Sequence, residues 1–146
     1  MQLTSTLIAS ILAASTAMAN PAAKSMMAAD PNWTIEQMQR ICTKEATQCT
    51  WSFRINTHIS KSTECKLVVD AYNGIKATRS KGGPVRCGDY TVTSGWSDQF
   101  GEGNGFTVLS VVDDKKRLIV WPSYTDKQVE KGQVVDPDQS YSAQRV

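Results

Sequence analysis

Two apolar runs, Phe106–Val112 (FTVLSVV) and Arg117–Trp121 (RLIVW), flank the charged stretch Asp113–Lys116 (DDKK), and this arrangement constrains the fold more than any other feature. A short polar turn between two β-branched, apolar segments is the pattern of a β-hairpin. Both arms are nearly continuous hydrophobics rather than alternating ones. That places them centrally in a sheet rather than at an edge. Four glycines between Gly95 and Gly105 lead into the hairpin. Pro122 closes it, having no N–H to give the ladder.

The rest of the chain adds further strands. Cys49, Trp51, Phe53, Ile55 and Ile59 share one face of an alternating segment, and Thr50, Ser52, Arg54, Asn56 and His58 share the other. Trp33–Cys42 is ambiguous. Thr34-x-x-Gln37 fits a helical capping box, with Ile35, Met38, Ile41 and Cys42 at helical spacing, whereas Trp33 and Ile35 alternate as in a strand. The strand is the preferred reading. A plain register that sets Cys42 opposite Cys49 turns Glu36 and Arg40 inward, so such a strand requires a bulge. Cys65–Tyr72 is a strand, and Asn73-Gly74 signals a type I′ turn into a further strand at Ile75–Thr78. Ser80–Pro84 reads as a loop, and Val85–Thr93 as one strand bulged at Gly88. Short strands are expected at Gln133–Val135 and Ser140–Ser142. About seven to nine antiparallel strands in a domain over residues 33–146 make the fold all-β, a β-barrel or a sandwich.

Residues 1–23 carry no charged side chain, Leu7–Ala14 is apolar, and Ala17-Met18-Ala19 has the small-x-small spacing of a signal-peptidase site. The only positive charge ahead of the apolar run is the α-amino group. Eight apolar residues are too few to cross a bilayer core, which needs about 20. Residues 1–19 are therefore read as a signal peptide, 20–32 as a flexible leader, and the protein as secreted and extracellular, with no membrane partner. Asn32-Trp33-Thr34 matches the N-glycosylation acceptor pattern at Asn32.

Four cysteines in a small secreted chain imply two disulfides. The spacings between Cys42, Cys49, Cys65 and Cys87 are six, fifteen and twenty-one residues, with no C-x-x-C pair to suggest a metal site. Of the three possible pairings, Cys42–Cys49 with Cys65–Cys87 is favoured. Cysteines facing each other at the mouth of a hairpin lie within disulfide reach.

Sixteen basic and fourteen acidic residues leave a net charge of only +2. The densest basic group, Arg79, Lys81 and Arg86, surrounds Gly82-Gly83-Pro84 and reads as a solvated loop, so no nucleic-acid partner is expected. His58 is the single histidine and falls on an outer strand face. The glycines from Gly101 to Gly105 lack the lysine and helix start of a phosphate loop. Asp98, Glu102, Asp113 and Asp114 are candidate carboxylates, but Asp113 and Asp114 belong to a solvated hairpin tip. Lys116-Arg117 is a dibasic pair inside the hairpin, which the fold is expected to protect from cleavage. With no catalytic residues, no metal ligands and no cofactor motif, the protein is read as non-enzymatic. The candidate contact residues are Trp96, Asp98, Gln99 and Phe100, on a Gly-rich loop suited to a sugar or protein. Alternatively, Trp96 and Phe100 fold back to plug one end of the barrel. Trp33, Trp51 and Trp121 are assigned to the core.

The mature region resembles a group of fungal small secreted proteins. The resemblance rests on W-T-I at Trp33–Ile35, C-x6-C-x-W-x-F at Cys42–Phe53, C-G-x-Y-x-V at Cys87–Val92, S-G-W-S-x-Q-F-G with G-F-T-x-L-S-V-V across Ser94–Val112, and I-V-W-P at Ile119–Pro122. Such proteins are similar to the Alternaria major-allergen family, an all-β barrel that includes elicitors of plant defence. The resemblance implies an effector- or elicitor-like protein acting on a host extracellular protein or cell-wall component. The alternative is a barrel whose mouth binds a small ligand or carbohydrate.

Overall fold

The computed structural model describes residues 31–146. The signal-peptide assignment and leader residues 20–30 lie outside the described residues. The elements are β1 (Asn32–Cys42), β2 (Gln48–Asn56), β3 (Thr63–Asp70), a 3₁₀ turn (Ala77–Arg79), β4 (Gly82–Cys87), β5 (Tyr90–Ser97), β6 (Phe106–Asp113), β7 (Leu118–Val120), β8 (Ser123–Thr125), α1 (Asp126–Val129), β9 (Gln139–Ser142) and β10 (Gln144–Arg145). One antiparallel sheet has the order β3-β2-β1-β9. The other has the order β10-β7-β6-β5-β4, with β8 also on β6.

The hairpin that dominates the sequence is central, as its unbroken apolar arms require. β6 pairs with β5 along one side and with β7 and then β8 along the other. Trp121-Pro122 interrupts the second arm, which resumes at Ser123 against the same strand, and the Pro122 carbonyl accepts from Leu109 N–H at 2.8 Å. Interruptions here, at Gly88 and at Ala143 give ten short strands where seven to nine are expected.

The two sheets pack face to face around one apolar core. β1 supplies Trp33, Ile35 and Met38, β2 supplies Trp51, Phe53 and Ile55, and the facing sheet contributes Tyr90, Val92, Leu109, Val111, Val120 and Tyr124. Aromatic pairs bridge the layers: Trp33 meets Tyr90 edge-on at 5.7 Å, and Trp51 meets Tyr124 at 6.4 Å. Each large apolar side chain withdrawn from water here contributes about 1.5–3 kcal/mol.

The architecture is sandwich-like, not a closed barrel, because its two lateral seams are joined without a ladder. At one seam the chain crosses from β9 to β10 through buried Ala143. At the other, β3 and β4 are edge strands with no pairing between them, tied by the Cys65–Cys87 disulfide. The second disulfide, Cys42–Cys49, closes the β1–β2 hairpin at opposed positions. This is the pairing favoured from the sequence.

Several local expectations are corrected. Trp33–Cys42 is the strand preferred from the sequence, with the required bulge between Glu36 and Gln39, where Gln37 takes φ 54°. The bulge turns Glu36 outward but leaves Arg40 inside, over the Trp51 ring at 5.6 Å. Asn73-Gly74 forms its turn, with both residues at positive φ, yet only the Tyr72–Ile75 bridge follows before the 3₁₀ turn. Gly88 is a hairpin turn between β4 and β5 rather than a bulge in one strand, and β4 already begins at Gly82. Gln133–Val135 makes only the Val134–Gln39 bridge, while Ser140–Ser142 belongs to β9. Ile59 is exposed because β2 ends at Asn56, and Thr57 is buried instead. Trp121 is exposed because it lies in the break between β7 and β8.

Candidate functional site

The Gly-rich connection from β5 to β6 forms one end of the second sheet. It is built from two successive turns: Gly101 N–H donates to the Asp98 carbonyl at 2.8 Å and Asn104 N–H to the Gly101 carbonyl at 3.1 Å. Gly101 and Gly103 take φ of 94° and 80°, a region that residues with a Cβ seldom enter. Asn104 Nδ2 donates across the loop to the Phe100 carbonyl at 3.2 Å.

Trp96 and Phe100, grouped in the sequence, have different roles in the structure. Trp96 is half-buried near the end of β5, and its Nε1–H donates to both Asp126 carboxylate oxygens at 3.2 and 3.0 Å. The Arg79 guanidinium lies 4.8 Å from the indole centroid, within cation–π range. Gly105 completes the cradle. A Cβ there would stand 2.5 Å from Asp126 Oδ2 and 2.6 Å from Trp96 Cζ2. Trp96 therefore anchors the loop. Phe100 stays 66% exposed, stacked on Phe106 with centroids 5.5 Å apart. Asp98 and Gln99 are exposed beside it.

Asp126 is delivered by α1, which Thr125 and Gln128 cap reciprocally. Gln128 N–H donates to Thr125 Oγ1 at 3.2 Å and Thr125 N–H to Gln128 Oε1 at 2.9 Å. Thr125-x-x-Gln128 thus forms a capping box, whereas Thr34-x-x-Gln37, which has the same spacing, lies in β1. Asp126 and Arg79, which hold Trp96, lie outside the contact set legible in the sequence. The capping-box spacing ahead of Asp126 was the available signal.

Phe100, Phe106, Asn104, Tyr124 and Lys127 border an open groove of about 470 Å³. Burial raises the Tyr124 phenol well above its ordinary range, helped by neighbouring Tyr141, so this wall stays neutral. On the other side of the loop, Asp98, Glu102, Asp126 and Glu130 meet Arg79 and Lys127 around a groove of about 270 Å³. An exposed aromatic thus stands between an apolar and a charged surface, a combination suited to recognition.

The other candidates are held by structural contacts. Asp113 is buried, a correction to its placement at the solvated tip, and its Oδ1 accepts from the Lys115 and Lys116 amides at 3.0 Å each. Asp114 accepts from Thr91 Oγ1 at 2.6 Å and Arg86 Nη1 at 3.0 Å. Lys116 and Arg117 are exposed in the turn. His58 is exposed in the bend after β2, with Nε2 2.8 Å from Thr34 Oγ1. Asn32 is exposed at the start of β1, opposite Ser142. No cluster of His, Cys, Asp or Glu suited to a metal ion is present among the described residues.

The family model described as Effector TSP1 matches residues 34–146. A curated protein named Effector TSP1, from Hypocrea virens (strain Gv29-8 / FGSC 10586), is 54% identical over 144 residues, covering 97% of each chain.

Proposed function

We propose that this chain, which belongs to the Effector TSP1 family, is a secreted, non-enzymatic fungal effector that acts by surface contact with a host extracellular or cell-wall target. The 54% identity, over 97% of each chain, to a protein carrying the effector name supports this reading most strongly. Disulfides across the β1–β2 hairpin and the β3–β4 seam suit a fold that works outside the reducing cytosol. The contact is assigned to the Ser97–Gly105 loop, with Phe100 as its aromatic anchor. The carrier alternative called for a barrel mouth, and a sandwich with its interior filled by side chains offers grooves at the surface instead.

The test applies oxidised wild-type, Phe100→Ala and His58→Ala proteins to plant tissue and measures defence induction. Wild type and His58→Ala should act alike, and Phe100→Ala should lose most activity while keeping its unfolding midpoint. Substrate turnover abolished by one point change in a folded variant would refute the non-enzymatic reading. Full activity of Phe100→Ala would remove the loop from it.

A further inference from the structure

A second groove lies away from Phe100, alongside the open seam between the sheets. It holds about 720 Å³, within the size range of ligand sites, between the 66–72 stretch and Arg79–Val85. Val68, Tyr72 and Ile75 border it while 47%, 68% and 49% exposed, so three large apolar side chains converge on one solvated surface. Scattered exposed apolar residues need no explanation, whereas a contiguous group marks an interaction surface.

Charge around the groove is one-sided. Lys66, Arg79 and Lys81 line it, and none of them is in an ion pair among the described residues. The one acid, Asp70, already accepts from Gln48 Nε2 at 2.9 Å. Two of the basic residues that read as a solvated loop in the sequence, Arg79 and Lys81, are therefore gathered with Lys66 around an apolar floor, while Arg86 pairs with Asp114 instead. The apolar floor calls for apolar side chains, and three cations outside any ion pair among the described residues call for carboxylates.

We infer that this groove binds an extended peptide segment of a partner protein in which carboxylates alternate with large apolar side chains. Tyr72, Val68 and Ile75 take the apolar side chains. Lys66 and Lys81 take the carboxylates. Arg79 also supports the Trp96 indole, linking the groove to the loop, and is left unaltered in the test for that reason. The inference stands independently of the Phe100 contact.

The probe is a fluorescein-labelled nine-residue peptide alternating glutamate with leucine, titrated into the full oxidised protein by anisotropy and by amide chemical shifts. Saturable binding is expected, with shifts at Lys66–Tyr72 and Arg79–Val85. Reversing both charges, Lys66→Glu with Lys81→Glu, should weaken it about tenfold, near 1.4 kcal/mol, as should glutamine in place of the peptide's glutamates. Tyr72→Ala should weaken binding, and Phe100→Ala should leave it unchanged. These side chains are exposed, and unchanged unfolding midpoints verify the fold. No saturable binding, indifference to the charge reversal, or shifts confined to Trp96–Gly105 would each overturn the inference. Tighter binding of an oligogalacturonate at the same residues would make the occupant a glycan. Concentration-dependent dimers abolished by Tyr72→Ala would make it a second copy.

Discussion

Replacing Arg40 by methionine should stabilise this protein. Arg40 projects from β1 into the core side of the sandwich and is 5% exposed. Its Nε and Nη1 have no hydrogen-bond partner, and among the described residues no carboxylate is in ion-pair contact with it. Burial lowers its pKa, against the more distant fields of Asp126 and Glu130. Two buried, unpaired donors cost about 1–3 kcal/mol each. Stacking on Trp51 at 5.6 Å returns about 0.5–2 kcal/mol. Methionine fills similar length, keeps contact with the ring and needs no partner. These terms leave a balance of about 0–5.5 kcal/mol in favour of Arg40→Met, and its middle, about 1–4 kcal/mol, matches the gain seen when apolar side chains replace buried ion pairs. Urea unfolding of the oxidised protein, followed by tryptophan fluorescence, reads the change. At a slope near 2 kcal/mol/M the midpoint should rise by roughly 0.5–2 M with the slope unchanged. Arg40→Ala removes the same charge but leaves a cavity, so its midpoint should fall below that of Arg40→Met. A lower midpoint for Arg40→Met than for wild type would refute the reasoning and show that the guanidinium is net stabilising.

Two further predictions concern the first sheet. Phe53 is buried between the layers, so Phe53→Ala should cost about 3–5 kcal/mol in the same assay, and an unchanged midpoint would mean the strand faces are reversed. Glu36 has its pKa lowered from 4.5, chiefly by the Asn56 amide, which donates at 2.8 Å, with further help from Arg54 and Ser62 outweighing partial desolvation. A carboxylate whose folded pKa is depressed stabilises the fold above its unfolded value, and the contribution is lost as pH falls through the folded one. Glu36→Gln should therefore flatten the loss of stability below about pH 4.5, and a stability curve parallel to wild type would remove Glu36 as the cause.

The sequence determined the all-β class, the central place of β6 and the core face of β2, because side-chain alternation and unbroken apolar runs report local burial directly. It also located the hairpin disulfide, since opposed hairpin positions need no knowledge of the distant chain. Tertiary structure decided the rest. Thr34-x-x-Gln37 and Thr125-x-x-Gln128 are the same local signal, yet the first is a strand because β2 and β9 pair with it on both sides, and the second caps a helix. Trp96 and Phe100 are indistinguishable as loop-end aromatics until Asp126 and Arg79, distant in sequence, hold one and leave the other in solvent. Barrel and sandwich share the same strands. What separates them is whether the edges of β3 and β4 form a ladder, and that depends on long-range packing that no periodicity records.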